Sequence, residues 1–177
     1  IENTVKHPLV SNNYQMNSIF ISYVESPIGT IEIKADEQSI LAVQVKDTNK
    51  VGTSFSENEI SKNGKQQLSE YFASERKEFE LPLKLSGTDF QNKVWTELQV
   101  IPYSKTISYL QLAKNLGDPK CIRAAGTANG KNPFAIVVPC HRVIGSNGDL
   151  IGYAGGLWRK QWLLEHEHNL QKQVSLF

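Results

Sequence analysis

The residues with the clearest capacity for chemistry lie in the segment VVPCHRVIG, residues 137–145, where Cys140 is followed directly by His141. A free thiol has a pKa of about 8.5, so a cysteine nucleophile needs a base, a cation or a dipole to become a thiolate. His141 could act as that base through a bridging water, and Glu165 or Glu167 could orient its ring. The alternative is that Cys140 is a core thiol without chemistry, and the spacing leaves both interpretations open.

The other cysteine and histidines predict no further reactive or metal site. Cys121 lies among alanines and is expected to fill space, and both thiols are expected to stay reduced in a chain of this size without a signal peptide. His166 and His168 lie on a predicted helix at a spacing that directs them to different sides, and the cysteine and histidine spacings of zinc sites are absent. We therefore expect no metal site.

The composition predicts a globular chain of one large domain or two small ones, because 177 residues with 40% hydrophobic and 21% charged side chains can bury a core. No apolar run approaches the ~18 residues of a membrane span, so we expect a soluble, cytoplasmic protein with no membrane partner. Residues 1–86 hold 9 basic and 12 acidic side chains, net −3, whereas residues 87–177 hold 10 and 6, net +4. This asymmetry is a weak indication of an anionic partner for the second half.

The first half predicts a small α/β domain over residues 17–86, preceded by a leader over residues 1–16 that shows no periodicity. Alternating segments rich in Ile, Val and Tyr predict three antiparallel strands, at about 18–25, 29–35 and 39–46. Ser56 and Glu59 fit a capping box, which predicts a helix over about 57–74.

The second half predicts a helical domain over residues 87–177, so the expected fold is an α/β part followed by an α part. A capping box at Thr88 and Gln91 starts one helix, which ends at a proline. TISYLQLAKNLG and DPKCIRAAGTANG then predict two short helices joined at Gly117, as in a helix-turn-helix, although any αα-hairpin fits the same pattern. NPFAIVVP predicts a short buried strand, and a closing helix is predicted over about 156–168.

The second short helix combines small and basic residues. Helical spacing gives it a polar face with Lys120, Arg123 and Thr127, and an apolar face with Ile122, Ala125 and Ala128. Small side chains would allow close approach to another surface; they are those of Ala124, Ala125, Gly126 and Ala128. The simpler interpretation is a basic face exposed to solvent, and the more specific one is a face that enters a DNA groove.

The segment PCHRVIG resembles the active-site motif of the O6-alkylguanine-DNA alkyltransferases, and the similarity runs from residue 88 to residue 167. It covers close to half of the chain with several motifs in order, and the predicted strands and helix suit the family's small first domain. The resemblance implies irreversible transfer of an alkyl group from guanine O6 in double-stranded DNA to the protein, once per molecule and without a cofactor. It also implies a monomer that grips the minor groove with its helix-turn-helix.

The family's catalytic roles carry over to matching positions. The resemblance implies that Cys140 accepts the alkyl group, that His141 takes the thiol proton through a water, and that Glu167 holds the histidine. It further implies that Tyr109 donates a proton to the leaving guanine and that Asn132 braces the segment before the cysteine.

The contacts to DNA and to the flipped base are implied in the same way. Arg123 would enter the base stack in place of the flipped nucleotide. The rest of the implied DNA surface consists of Lys120, Ala124, Ala125, Gly126 and Thr127. The implied base pocket consists of Val143, Tyr153, Ala154, Gly155 and Gly156.

Three departures from the family pattern are visible. Ser104 replaces a glycine, Ala154 replaces a serine found in some members, and the zinc ligands of some first domains have no match. A branch that carries tryptophan in place of the cysteine only binds lesions, and Cys140 argues against that branch. Two other classes stay open: a helix-turn-helix regulator with a silent cysteine, and a cysteine hydrolase that uses Cys140, His141 and Glu167.

Overall fold

The computed structural model describes residues 18–47 and 56–174, so the predicted leader, residues 1–16, lies outside the described residues. The described chain forms a small α/β part followed by a helical part, which confirms the predicted fold class. The predicted division between residues 86 and 87 stays a prediction. No helix in the described part of the chain is long and apolar enough to cross a membrane.

The three predicted strands form one antiparallel sheet of order β1-β2-β3. Their bounds are Phe20–Ser26 for β1, Gly29–Ala35 for β2 and Ile40–Lys46 for β3. Successive side chains of a strand point to opposite faces. One face therefore buries Ile31, Ile33 and Val43 beneath helix α1, Glu59–Phe72. The opposite face is polar and carries Glu32.

The start of α1 differs from the prediction. Its N-cap is Asn58, whose side chain accepts a hydrogen bond from the Ser61 N–H at 2.9 Å, while the Ser61 hydroxyl accepts one from the Asn58 N–H. The predicted box of Ser56 and Glu59 was therefore wrong. Asn58 takes the capping position because its side-chain amide also donates to the carbonyl of Asp36 at 2.9 Å, which ties the helix to the β2–β3 turn.

The free edge of β3 joins the sheet to the rest of the chain. Ile40 forms a bridge with Leu83 of the linker, and Val43 forms a bridge with Phe134. In the second bridge, the N–H and the carbonyl of Val43 each make a hydrogen bond of 2.9 Å to the segment around Phe134. Main-chain contacts therefore fix the sheet against the segment that leads to Cys140.

The predicted strand in NPFAIVVP, residues 132–139, was wrong apart from that bridge. The Asn132 side chain folds the segment on itself, since Nδ2 donates to the Val138 carbonyl at 2.8 Å and Oδ1 accepts from the Phe134 N–H at 3.0 Å. Ile136 also has a φ of 72°, a left-handed conformation that no regular strand contains. A short apolar run by itself does not distinguish a buried turn from a buried strand.

The helical part contains the predicted helix-turn-helix. Its first helices are α2 at Asp89–Gln99, α3 at Tyr109–Asn115 and α4 at Ile122–Gly130. The capping box of Thr88 and Gln91 is confirmed. Gly117 follows α3 with a φ of 97°, and Asp118 caps a 3-10 turn that leads into α4, so these two residues form the tight connection.

Two further elements bring the reactive segment to the helix-turn-helix. Short parallel strands pair before α3 and after the cysteine: β4 is Ile107–Ser108 and β5 is Val143–Ile144. The last helix, α5, spans Leu157–Val174 and is longer than predicted. Leu163 and Glu167 on this helix are fully buried, so α5 closes the core behind the site.

Candidate active site

Cys140 begins a single 3-10 turn, Cys140–Arg142, and does not continue an extended strand. Asn132 holds the chain just before this turn through its bond to the Val138 carbonyl. Asn129 donates to the Cys140 carbonyl at 3.4 Å. The turn directs two neighbouring side chains to different places: Cys140 borders a cavity, whereas His141 lies wholly in the core.

The cavity beside Cys140 has a volume of about 220 Å³. Its walls come from residues 43–46 of β3, from the end of α4 with the turn after it, and from residues 152–155. The predicted base-pocket residues that line it are Tyr153, Ala154 and Gly155. Val143 and Gly156 do not line it, and Val143 is buried within β5.

The thiol of Cys140 is protonated at rest. The residue is only 7% exposed, and burial raises the pKa of its thiol above the usual range. The Asn132 side chain and the charge of Lys160 act in the opposite direction without reversing this shift. A reaction at Cys140 therefore needs a base that takes the proton as the sulfur attacks.

His141 is placed to be that base. Its ring is fully buried, and Nε2 lies 2.7 Å from Oε1 of Glu167. An ionised carboxylate only accepts hydrogen bonds, so this contact assigns the proton to Nε2 and leaves a lone pair on Nδ1. Nδ1 is buried and meets no hydrogen-bond partner among the described residues. Burial lowers the pKa of His141 despite the opposing effect of Glu167, so the imidazole is neutral at rest.

The carboxylate of Glu167 is the centre of the buried network. It accepts hydrogen bonds from Arg142 at 2.9 and 3.0 Å, in addition to the contact with His141. The Tyr71 hydroxyl donates to it at 2.9 Å and the Ser104 N–H at 3.1 Å. Burial alone would raise the pKa of this carboxyl, but His141 and Arg142 hold it far below its usual range. Glu167 is therefore a fixed anion at neutral pH.

Ser104, which departs from the family's glycine, enters this network through its backbone. Its φ of 61° lies in the left-handed region that glycine adopts without strain. The conformation directs its N–H to Glu167, while its hydroxyl is buried without a partner among the described residues. The substitution therefore preserves the hydrogen bond at a conformational cost of about 1 kcal/mol.

Lys160 is a buried cation beside the cavity. Its ammonium donates to the carbonyls of Val143 at 2.6 Å and Ile151 at 2.7 Å, and the residue is fully buried. Burial lowers the pKa of Lys160 to about 8, and the nearby Cys140 acts in the opposite direction. Lys160 thus supplies positive potential where a thiolate would form.

Tyr109 is the first residue of α3, and its phenol acts as a hydrogen-bond donor. Its hydroxyl donates to the Ile151 carbonyl at 2.9 Å, and the ammonium of Lys160 lies 5.7 Å from its ring centroid. Burial, together with the nearby Cys140, raises the pKa of the phenol. Gly126 of α4 packs against the Tyr109 ring, since a Cβ at this position would lie 3.6 Å from it, an ordinary van der Waals distance.

The predicted DNA surface is mostly exposed on α4 and the turn before it. The exposed members are Lys120, Arg123, Ala124 and Thr127, and Gly126 is partly exposed. Ala125 is fully buried on the core face of α4, so its predicted place on this surface was wrong. Ile122, expected on the apolar face, is 36% exposed and borders a hollow next to Tyr109.

The described residues contain no cluster of three or more His, Cys, Asp or Glu side chains that could hold a metal ion. Cys121 and Cys140 are both free thiols. The reactive and charged groups gathered at this site are a thiol, an imidazole, a carboxylate, a phenol and two buried cations.

Two family models match the chain. The DNA binding domain of 6-O-methylguanine DNA methyltransferase matches residues 89–169, and the ribonuclease-like domain of the same enzyme matches residues 19–85. The chain belongs to the 6-O-methylguanine DNA methyltransferase family. Methylated-DNA–protein-cysteine methyltransferase of Methanosarcina acetivorans is 46% identical over 153 residues, which cover 84% of this chain and 98% of that protein.

Solved structures of this methyltransferase family share the fold. O6-methylguanine methyltransferase of Mycobacterium tuberculosis is 40% identical with a TM-score of 0.73, and the match covers 86% of this chain and 94% of that one. OGT of the same organism in complex with DNA is 42% identical with a TM-score of 0.76, covering 85% and 94%. The resemblance drawn from PCHRVIG is confirmed.

Sequence reasoning missed three residues of this methyltransferase site: Tyr71, Arg142 and Lys160. Arg142 could have been found because it directly follows the Cys-His pair. Lys160 could have been found because it shares the buried face of α5 with Glu167, and a charged residue at a buried helix position is unusual. Tyr71 gave no such signal because it lies 96 residues from Glu167 on another element.

Glu167→Gln removes the anion and keeps the size of the side chain. We expect it to lower the free energy of unfolding by about 3–5 kcal/mol, because Arg142 would stay buried without its counter-charge. Urea unfolding followed by circular dichroism measures the loss. Glu165→Gln is the matched control on the same helix, since Glu165 is exposed and bonds to Gln161; it should change stability by less than about 0.5 kcal/mol. Equal losses in the two variants would contradict the central place of Glu167.

Proposed function

We propose that this protein repairs O6-alkylated guanine in double-stranded DNA by moving the alkyl group to its own Cys140. The observation that carries this proposal is the thiol at the cavity wall, followed by a neutral buried imidazole that an ionised carboxylate holds in one tautomer. The relatives are named for this reaction, and one solved relative is in complex with DNA. Tyr109 and Asn132 complete the proposed set, the first as a proton donor and the second as a positioning residue.

Duplex DNA would approach the α3–α4 surface from the minor groove. The alkylated base must leave the stack to reach a buried thiol, at a cost of a few kcal/mol. Arg123, exposed on α4, would offset part of that cost by filling the vacated space. The flipped guanine would enter the cavity between residues 152–155 and the turn after α4.

The transfer balances with thiol and DNA alone. A water passes the Cys140 proton to Nδ1 of His141, and the sulfur attacks the alkyl carbon as the carbon–O6 bond breaks. The electron pair of that bond stays on the guanine, and Tyr109 supplies a proton to it. His141 then returns the proton to the phenol, so that the thiol hydrogen ends on guanine in place of the alkyl group.

The product is a thioether, which has no good leaving group, so each molecule would react once. We propose that the protein works as a monomer in the cytoplasm and uses no cofactor. Lys160 would favour sulfur attack through its positive charge near the developing thiolate.

Incubation with a duplex that contains O6-methylguanine should add one methyl group to the peptide that carries Cys140, in about one-to-one stoichiometry, because the thioether does not react further. Intact-mass analysis followed by peptide mapping measures this, and Cys121 serves as an internal control. Binding without a mass change would instead indicate a DNA-binding protein with a silent cysteine. Repeated release of a hydrolysed product would indicate a hydrolase.

The transfer rate should not fall between pH 8 and about pH 6.5, the ordinary pKa of histidine, and should fall only below it. His141 acts as a base only when neutral, and burial lowers its pKa, so the neutral form persists to lower pH than in a free imidazole. Single-turnover rates at saturating protein measure the profile, with DNA affinity determined at each pH as the control. A rate that already falls by half above pH 6.5 would contradict a lowered pKa.

A further inference from the structure

The α/β part supplies one wall of the reactive cavity. Residues 43–46 of β3 line it together with Cys140 and residues 152–155. The strand is fixed in this place, because Val43 is hydrogen-bonded to the segment before Cys140 through two bonds of 2.9 Å. A group that enters this cavity would therefore meet β3 as well as the helical part.

Arg159 connects the loop wall of the cavity, residues 152–155, to its β3 wall. Its Nη1 donates to the Gly155 carbonyl at 2.6 Å, and its Nε donates to the Ile28 carbonyl in the β1–β2 turn at 2.7 Å. Its Nη2 donates to Asp47, directly after β3, at 3.1 Å. The loop wall and the β3 wall are thus connected through one side chain, and the cavity keeps its width.

The β3 wall carries a positive charge. Lys46 lines the cavity, is 28% exposed at its side chain, and donates to Oε1 of Gln44, another lining residue, at 3.0 Å. Its ammonium also lies 3.4 Å from Glu32, but Lys34 lies at the same distance from the same carboxylate oxygen. Two ammonium groups share one carboxylate, so the group of three has a net charge of +1.

We propose that Lys46 makes this cavity favour alkyl groups that end in a carboxylate, with carboxymethyl at guanine O6 as the simplest example. This inference rests on the proposed function and extends it to the choice of adduct. The carboxylate would point along the β3 wall towards Lys46 and the amide of Gln44, while its methylene carbon faces the thiol. Salt screens a cation beside a partly enclosed cavity less than one in open water, so its attraction to a charged group in the cavity is stronger.

The transfer itself is unchanged for this adduct. The sulfur of Cys140 forms a bond to the methylene carbon, the bond from that carbon to O6 breaks, and guanine keeps the electron pair and gains the thiol hydrogen. The product is a carboxymethyl thioether, and no oxidant, reductant or co-reactant is needed.

The test compares O6-carboxymethylguanine with O6-carbamoylmethylguanine in the same duplex, because the two adducts have nearly equal size and differ in charge. The measured quantity is the ratio of their single-turnover transfer rates. We expect Lys46→Met to lower this ratio about three- to fivefold, the upper part of the range expected for one partly exposed charge pair, and Lys46→Glu to lower it further.

Lys62→Met is the matched control, since Lys62 is an exposed lysine on α1 that lies outside the cavity lining. It should change the ratio by about twofold at most, because screening weakens a charge that does not contact the adduct. An unchanged ratio in Lys46→Met, or an equal fall in both variants, would overturn the assignment. Failure of the wild-type protein to demethylate O6-methylguanine would instead overturn the proposed function.

Discussion

A buried carboxylate must be matched by donors, and Glu167 is the group on which the rest of this structure depends. It is fully buried, and its donors come from α1, from the turn after α2 and from the 3-10 turn at the cysteine. An unmatched charge in this position would cost several kcal/mol, so these elements must meet before the site exists. The same carboxylate fixes the tautomer of His141. The contacts that hold these elements together therefore also orient the base.

The α/β part of the chain belongs to the site as well as to the fold. Tyr71 of α1 donates to the carboxylate that orients the base, and β3 forms a wall of the cavity at the thiol. Arg159 connects the β1–β2 turn to the loop at Gly155. A thiol in the helical part thus receives one wall of its pocket, and the carboxylate behind its base receives one donor, from residues more than sixty positions earlier in the chain. This arrangement gives a physical reason for the two parts to be packed together.

Local patterns predicted the strands, the helices and the helix-turn-helix, because alternation, capping boxes and Gly117 act within a few residues. The motif around Cys140 led to the family and to Glu167. Prediction failed where single side-chain hydrogen bonds decide the outcome. Asn132 turns an apolar run into a set of turns through its own side chain, and Tyr71 reaches Glu167 across 96 residues. The first contact is local, but the apolar run that it folds has the same pattern as a buried strand. The second contact has no local signature and requires the assembled core.

In this structure His141 rests as a neutral imidazole with its proton on Nε2 and a free lone pair on Nδ1. Nitrogen NMR of protein labelled at histidine, without DNA at pH 7, tests this most directly, and His141→Gln identifies the signal by its loss. Protonated and bare ring nitrogens are well separated in such spectra. We predict one protonated nitrogen, Nε2, and one bare nitrogen, Nδ1. A doubly protonated ring, or a proton on Nδ1 instead, would contradict the account.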